Sequence, residues 1–273
     1  MRTFLFVAAA GAALFTNPAS QAGPIFADDF NSYSPGNLVG QGPWTQTGTT
    51  ATSPVQASSG AAALGTSGQD VYAAFSSAVT PTAGTSLFIG FDLTVSSAQA
   101  TGDYFLHLAS TVGGTSGFFD KLFAKSSGAG YVLGVSDNAG SITGTATTGT
   151  YGSTVLNFGT TYRVVMEEDF IAGDKNDTFE LFVNPTDLTV AGNNSAYASF
   201  TWGSTASEAA SYAELNFRQG SSTAASAETI DNLDVSQTFS DTSTFTPMVP
   251  EPSTFALLGL GAAAGFAFRR PRK

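Results

Sequence analysis

Four side chains that alternate along one short segment have the chemistry of a ligand-binding surface. Tyr212, Glu214, Asn216 and Arg218 lie two residues apart, with other residues between them. Residues two apart in a β-strand face the same side of the sheet, so the pattern predicts one polar, outward-facing stripe. An aromatic ring beside carboxylate, amide and guanidinium groups is typical of a carbohydrate site. The stripe is a candidate ligand-binding site, and an ordinary solvent-facing strand is the alternative.

A second group of polar residues lies in an acidic turn. Asp174, Asn176 and Asp177 offer oxygen ligands within four residues, and calcium prefers carboxylate and amide oxygens. The spacing differs from that of an EF-hand loop, and an Asx-rich hairpin turn is the alternative interpretation. Calcium is therefore a candidate cofactor at this turn.

The sequence contains no set of residues typical of catalysis. There is no cysteine and a single histidine, His107, which excludes disulfides, thiol catalysis and a His-rich metal site. Retaining glycosidases hold two carboxylates about 5 Å apart, whereas Glu167, Glu168 and Asp169 are consecutive and would alternate between the two faces of a strand. Nucleophile-elbow, zincin and phosphate-loop motifs are also absent. We therefore expect no catalytic residues and a protein that is not an enzyme.

The C-terminus combines three features in a fixed order. Val249, Pro250, Glu251 and Pro252 form a short motif, the 15 residues 254–268 carry no charge, and four of the last five residues are basic. As a helix, the uncharged stretch spans roughly 22 Å at ~1.5 Å per residue, which is less than the ~30 Å hydrocarbon core of a bilayer. The basic end favours the cytoplasmic side of a membrane.

This arrangement resembles the PEP-CTERM sorting signal of Gram-negative bacteria that make exopolysaccharide. The resemblance implies that an exosortase-type transpeptidase reads Val249–Pro252 and that residues 254–268 hold the protein transiently in the inner membrane. It also implies release to the cell surface or the extracellular matrix. An ordinary single-span tail anchor is the alternative interpretation of the same residues.

The N-terminus also has the composition of a targeting segment. Arg2 precedes an apolar run over residues 4–15, which Asn17 and Pro18 interrupt, and small residues lead to a cleavage site after Ala22. This pattern is typical of a secretory signal peptide. The organisation we expect is a signal peptide over 1–22, a β-sandwich over 23–238, a linker over 239–249 and a sorting signal over 250–273.

The charge of the body limits its partners. Of 10 basic and 21 acidic residues, five basic and one acidic lie in the two end segments, so the body has 5 basic against 20 acidic residues, a net charge of about −15. Nucleic acids and anionic lipids are bound by clustered cations. We therefore expect a secreted protein that binds no nucleic acid.

Period-2 alternation is the main structural signal in the body. In Ser86–Val95, for example, Leu87, Ile89, Phe91 and Leu93 fall on one face. About a dozen such segments are separated by turns rich in Gly, Ser, Thr and Asn, and no long amphipathic helix interrupts them. Many antiparallel strands must protect their edges, which a two-sheet sandwich does. We predict an all-β, two-sheet antiparallel jelly-roll sandwich, flanked by the signal peptide and a single C-terminal hydrophobic helix.

Three segments in order resemble concanavalin A-like jelly-roll domains of the LamG-like type. They are an opening Asp-Phe-x-Ser-Tyr segment that reaches a Trp within Phe26–Trp44, a central hairpin over Thr161–Pro185, and a closing strand Ile230–Val235. The resemblance implies that the first and last strands pair in one sheet. This architecture hosts lectin-like binders, adhesion modules and glycosidases, so it does not decide the function.

Pairing of the terminal strands creates a second candidate calcium site. It would bring Asp28 and Asp29, near the start of the body, close to Asp231 in the closing strand. Three carboxylates at one place suit a hard cation.

The function that we expect is that of an exosortase-sorted cell-surface or exopolysaccharide-matrix protein with a non-catalytic, carbohydrate-binding β-sandwich. A passive structural matrix protein without a specific ligand is the first alternative. A glycoside hydrolase or lyase on the same fold is the second, and the hydrolase would require a pair of close carboxylates in a cleft.

Overall fold

The computed structural model describes residues 23–50, 52–143, 148–202 and 208–245. The predicted signal peptide, the sorting motif Val249–Pro252 and the hydrophobic stretch lie outside these ranges. The described part folds into two antiparallel β-sheets packed face to face, as the alternation predicts. Within it, no helix has the length and apolar character needed to cross a membrane.

The larger sheet has nine strands among the described residues, and the closing strand lies near its centre. The first strand, β1, pairs with β16 outside the main order of the sheet, with Phe26 opposite Val235, which confirms the expected pairing of the terminal strands. The main order across the sheet is β14 (Ala198–Thr201), β13 (Thr178–Val183), β12 (Thr161–Asp169), β7 (Ser86–Ser97), β16 (Ala227–Ser236), β5 (Ala61–Leu64), β4 (Gln56–Ser58) and β2 (Gly36–Asn37), and β1 is Phe26–Asp28.

The smaller sheet has seven strands in the same part of the chain. Consecutive strands such as β6, β7 and β8 alternate between the two sheets, so the chain repeatedly crosses from one to the other. The order across this sheet is β11 (Thr150–Tyr151), β10 (Gly130–Ser136), β9 (Phe118–Ser127), β8 (Asp103–Ala109), β15 (Tyr212–Phe217), β6 (Asp70–Val79) and β3 (Trp44–Thr47).

Alternation places one face of each long strand in a shared apolar interior. In β7, the predicted stripe of Leu87, Ile89, Phe91, Leu93 and Val95 is at most 2% exposed. Burial of side chains of this size stabilises the folded state by roughly 1.5–3 kcal/mol each before the entropy of ordering is counted. The core is therefore the space between the two sheets, and the outward faces are left for other roles.

The carboxylate of Asp28 connects the two sheets at one end of the sandwich. It accepts hydrogen bonds from the Phe30 N–H at 2.8 Å, the Tyr33 hydroxyl at 2.5 Å and the Trp44 indole N–H at 2.7 Å. Trp44 belongs to the smaller sheet and stacks on Phe217 with ring centroids 4.6 Å apart. One residue of β1 thus orients Trp44, one of the two tryptophans in the core.

Glu228 is an acid placed among apolar residues. It lies on β16 opposite Leu64 and Val95, is 3% exposed, and neither carboxyl oxygen has a hydrogen-bond partner among the described residues. Burial raises the pKa of Glu228 to about 8. The neutral acid is therefore the form that the core tolerates at neutral pH.

A second buried acidic group joins the two sheets. The Tyr212 hydroxyl donates to Glu168 Oε1 at 2.8 Å and lies 3.5 Å from Asp120 Oδ1. Burial raises the pKa of Asp120 to about 7, and burial beside Asp120 raises the pKa of Glu168 as well. Asp120 has a φ of 50° at a point where the β8–β9 register shifts. These carboxyls face the interior and stay at least partly protonated near neutral pH.

Of the predicted linker over 239–249, residues 239–245 belong to the described part, and Phe239 packs onto the sandwich. Residues Phe239–Ser243 form a short helix, α1, and Phe239 contacts Phe88 and Phe182 on the outer face of the larger sheet. The described chain has one further helical turn, the 3-10 turn Ala191–Asn193. Sequence alone did not reveal the docking because five residues are too few for a periodic pattern.

We expect Asp28→Ala to lower the free energy of unfolding by about 3 kcal/mol, because it leaves the buried indole N–H of Trp44 and the hydroxyl of Tyr33 without acceptors. Asp29→Ala is the matched control, since the Asp29 carboxylate accepts only an exposed bond from the Asn31 N–H, and we expect a loss below about 1 kcal/mol. Urea unfolding at pH 7, followed by tryptophan fluorescence, measures both. Equal losses in the two variants would contradict the role given to Asp28.

We expect the urea midpoint to fall as pH rises from 6.5 to 8. In this window the carboxyls of the unfolded chain are ionised, whereas the raised pKa values of Glu228, Glu167 and Asp120 keep protons on the native state. Stability then falls with pH, by up to about 1.4 kcal/mol per pH unit for each fully protonated group. The lowered pKa values of His107 and Lys121 oppose this trend at the two ends of the window, near pH 6.5 and near pH 8 respectively.

Glu228→Gln should flatten this pH profile, because it removes one titrating group without emptying the site. Asp174→Asn, at a side chain 60% exposed, serves as the control and should leave the slope unchanged. A midpoint that rises between pH 6.5 and 8 in the unmodified protein, or an unaltered slope in Glu228→Gln, would show that the buried acids do not govern stability in this range.

Candidate functional site

The outward face of the smaller sheet collects cations and aromatic rings. Lys121 and Lys125 lie on β9 and Arg218 directly follows β15, while Tyr104 and Tyr151 come from β8 and β11. We call these five residues the tyrosine–cation face. The described chain has five Lys and Arg residues in all, and three of them are here.

The alternation within β9 directs its lysines outward. Leu122 and Ala124 lie in the core and are fully buried, so Lys121, Phe123 and Lys125 project from the opposite side. This is the geometric consequence of the two-residue repeat of a strand. The lysines therefore occupy fixed positions on a rigid sheet.

Each cation of this face lies against a tyrosine ring. The guanidinium carbon of Arg218 is 4.1 Å from the centroid of Tyr104, and Lys121 Nζ is 4.9 Å from the same centroid. Lys125 Nζ lies 4.0 Å from the centroid of Tyr151. Cation–π contacts of this kind contribute about 0.5–2 kcal/mol. They hold the charged groups in place without neutralising them.

The three cations differ in how far their charge is compensated. Arg218 Nη1 lies 2.7 Å from Asp103 Oδ1 and donates to the Tyr104 carbonyl, and its side chain is 24% exposed. Lys121 donates to the Asn138 carbonyl at 2.6 Å, and burial lowers its pKa to about 8. No carboxylate in the described ranges lies within ion-pair distance of Lys125. Lys125 and the outer edge of Arg218 are thus the most available charges.

His107 lies beside this face with both ring nitrogens unpaired among the described residues. It is 2% exposed, and its ring packs 4.3 Å from Phe118 and 5.5 Å, edge on, from Tyr104. Burial, reinforced by the positive charges of Lys121 and Arg218, lowers its pKa, so the imidazole is neutral at pH 7. A neutral imidazole has one N–H donor and one acceptor to offer.

The predicted stripe on β15 is not an exposed surface. Tyr212, Glu214 and Asn216 are each 0% exposed. A register shift between Tyr212 and Glu214 turns the tyrosine into the core, which strict alternation did not allow for. The Asn216 amide donates to Glu214 and its oxygen accepts from the Thr47 hydroxyl. Of the four residues, only Arg218 keeps an accessible side chain.

A loop explains why Glu214 is buried. The Gly113 N–H, in the turn between β8 and β9, donates to Glu214 Oε2 at 2.6 Å. The turn therefore folds over the outward side of β15. Nothing in the local sequence of β15 indicates a cover contributed by residues about 100 positions away.

The acidic turn that was the first calcium candidate is held by hydrogen bonds within the protein. Asp177 Oδ1 accepts from the Ile171 N–H at 2.6 Å, and the Asn176 and Asp177 N–H groups both donate to Glu208 Oε1. Asp174 is exposed and 3.8 Å from Lys175. These bonds give the turn a structural explanation that needs no ion.

The second calcium candidate is also occupied by protein donors. Asp28 holds the Trp44 indole, Asp29 accepts from Asn31, and Asp231 Oδ1 accepts from the Asn232 N–H at 2.6 Å. In the ranges that the structure covers, no three His, Cys, Asp or Glu side chains are grouped as a metal site would require. The geometry gives neither candidate support.

Sequence reasoning missed four residues of the tyrosine–cation face. Lys121 and Lys125 are visible as a four-residue repeat in an alternating segment, which was a usable signal. Tyr104 lies 17 residues before Lys121 and Tyr151 lies 26 residues after Lys125, and only strand pairing brings their rings beside the lysines. The sequence pattern indicated Arg218, but grouped it with Tyr212, Glu214 and Asn216, which are buried.

The comparisons with known proteins concern the C-terminal tail and the general fold. Residues 249–273 match the family described as the PEP-CTERM protein-sorting motif. No curated protein matches the chain.

Solved structures similar to this chain are distant. They include an endo-β-1,4-glucuronan lyase from the fungus Trichoderma reesei (12% identity, 80% of this chain and 98% of that chain covered, TM-score 0.41). The CBM2 module of the evolved Dit of Lactobacillus casei BL23 phage J-1 has 10% identity, 83% and 98% coverage and a TM-score of 0.45. The carbohydrate recognition domain of Emp47p has 10% identity, 77% and 93% coverage and a TM-score of 0.44.

Likenesses at these identities and TM-scores carry no argument about function. The tail does carry information, because the match lies at the predicted position and covers the predicted motif. The chain thus joins a two-sheet antiparallel sandwich to a PEP-CTERM protein-sorting motif, which implies processing by exosortase and sorting to the cell surface or beyond.

Proposed function

We propose that this protein is a non-catalytic component of the cell surface or extracellular matrix whose tyrosine–cation face binds an anionic polysaccharide. The observation that carries the proposal is the gathering of three of the five described cations on one sheet face of a body with about 20 acidic residues. The sorting motif supports delivery to the place where such a polymer occurs.

The chemistry of the face matches a sugar that carries a carboxylate. Arg218 Nε and Nη2 make no hydrogen bond among the described residues, and a guanidinium edge is shaped to hold a carboxylate with two parallel bonds. Lys125 adds a second cation, and no carboxylate among the described residues lies within ion-pair distance of it, whereas Arg218 is paired with Asp103. Tyr151, which is half-buried, supplies a ring edge beside Lys125 for the apolar side of a sugar, while Tyr104 holds Arg218 in place from below.

His107 supports the same proposal from the floor of the face. A buried polar side chain without partners costs free energy, on the order of 1–3 kcal/mol, and calls for an explanation. If a ligand hydroxyl reached the ring, it would accept from the protonated nitrogen or donate to the other one. The two nitrogens point in different directions, so satisfying both takes two separate groups. The neutral state of His107 suits this role, because it offers one donor and one acceptor to neighbouring hydroxyls.

Electrostatics favour an anionic polymer at this face over the rest of the surface. The body carries a net charge of about −15 (5 basic, 20 acidic), so most of its surface repels a polyanion. A local group of cations on such a surface selects the place and orientation of binding more than it raises affinity. The attraction should weaken with salt, since charges at a surface are screened over about 8 Å at physiological ionic strength.

The positions of the acids argue against a glycosidase. Asp120 and Glu168 are joined through Tyr212 inside the sandwich and do not face the polymer. Glu214, on the outward side, already accepts from Gly113 and Asn216. A glycosidase needs two carboxyl groups facing one glycosidic bond, and these carboxyls are arranged otherwise.

We expect purified protein to bind polygalacturonate, used as a probe polyuronate, more tightly than a neutral glucan in calorimetry at low salt. Lys125→Met should weaken binding about threefold or more, and Arg218→Ala about tenfold, since a bond to a charged group contributes about 1.5–3 kcal/mol. Lys175→Met removes the same charge at a distant exposed site and should change affinity by less than about twofold.

Three results would overturn this function. Equal affinity for the neutral glucan and the polyuronate would remove the role of the cations. Equal weakening by Lys175→Met and Lys125→Met would show a general charge effect. Shortened polyuronate chains after incubation would contradict the non-catalytic part. Lys125→Met breaks no hydrogen bond or ion pair found among the described residues, so it tests binding without threatening the fold.

A further inference from the structure

The segment that leads to the sorting motif is fastened to the larger sheet by one arginine. Arg163 Nε and Nη2 both donate to the Thr242 carbonyl in α1, at 3.1 and 2.6 Å. The same guanidinium donates to the Asn232 carbonyl at 2.7 Å and pairs with Asp234 at 3.2 Å. The Asp92 carboxylate lies 3.6 Å away. A fully engaged arginine of this kind fixes α1 at one position.

Apolar packing and close backbone approach complete the attachment. Phe239 is 5% exposed and joins Phe88, Val165 and Phe182 in a cluster on the outward side of the larger sheet. A Cβ at Gly90 would lie 2.1 Å from the Thr242 carbonyl oxygen, so only glycine lets α1 come this close. We call α1 with Arg163, Phe239 and Gly90 the latch.

The latch leaves a short tether to the sorting motif. Seven residues run from Thr244 to Pro250, and at ~3.3–3.6 Å per residue they reach about 25 Å at most. If α1 were free, the chain would be loose from Gln237, and 14 residues would reach about 50 Å. Docking α1 therefore halves the distance over which the motif can move.

A tether of this length cannot pass to the other side of the sandwich. α1 packs on β7, β12 and β16, near the middle of the larger sheet, with β13 and β14 between β12 and the edge. Strands lie about 4.8 Å apart and the sheets about 10 Å apart. The path from β7 around the edge to the middle of the opposite face is therefore about 40 Å.

We propose that the latch fixes the orientation of the sandwich relative to the sorting enzyme. The transpeptidase that reads the motif meets the larger sheet, and the tyrosine–cation face points away from it. The surface around α1 is then the side presented to the sorting enzyme and its membrane, and ligand binding need not wait for processing. The orientation of a ligand face rests on the proposed function, whereas the latch and its tether do not.

Distance measurements between spin labels on the full chain in mild detergent test the latch. The chain has no cysteine, so introduced thiols are labelled uniquely. One label is placed just after the motif, at Ser253→Cys. Its partner is placed either beside α1, at Val190→Cys, or on the opposite face, at Thr45→Cys; both sites are exposed. We expect the distance from residue 253 to residue 190 to be shorter than that to residue 45 by about 15 Å or more, given the sheet spacing and the tether.

Two variants should abolish this difference. Phe239→Ala weakens α1 docking, and a 12-residue Gly/Ser insertion between Thr244 and Phe245 lengthens the tether by about 40 Å at full extension while leaving α1, Arg163 and Gly90 unchanged. Both should at least halve the difference between the two distances, while Gln237→Ala, at an exposed residue before α1, should keep it. Equal distances in the intact chain, or a difference that survives the insertion, would overturn the proposal. Neither result depends on whether a polysaccharide binds.

Discussion

The apolar interior shared by the two sheets is the constraint on which the other features depend. Its aromatic rings come from both sheets, and the stack of Trp44 on Phe217, with Asp28 orienting the indole, joins β1 to the core. Because each strand has only two faces, filling this interior leaves one outward face on each sheet. Those two faces are where the protein differs from a generic sandwich.

The interior also contains acids, and they make stability depend on protonation. Glu228 lies among apolar residues, and Asp120 and Glu168 meet at Tyr212. Burial of an ionised carboxyl without a partner is costly, so these groups hold protons in the folded state. An extracellular protein meets a wider range of pH than a cytoplasmic one, and here the buried acids favour the folded state at the acidic end of the neutral range.

The outward faces of the two sheets make different contacts within the protein. On the larger sheet, Arg163 and Phe239 fasten α1 and fix where the chain departs toward its sorting motif. On the smaller sheet, Tyr104 and Tyr151 hold cations that have few carboxylate partners. The two arginines among the described residues differ in how many of their donors are bonded. The Arg163 guanidinium donates to several protein acceptors, whereas, within the described ranges, only Nη1 of Arg218 does so.

The sequence alone determined the strands and the sorting signal of this protein, because period-2 alternation and a three-part motif at the C-terminus are local patterns. The stripe from Leu87 to Val95 and the pairing of β1 with β16 followed from such patterns or from resemblance. Which side chains form the candidate site was decided only by the tertiary structure. A register shift turned Tyr212 inward, a distant turn covered Glu214, and strand pairing brought Tyr104 and Tyr151 beside lysines. Whether a side chain is exposed, and which side chains surround it, depends on residues far apart in the chain, so a local sequence pattern does not predict either.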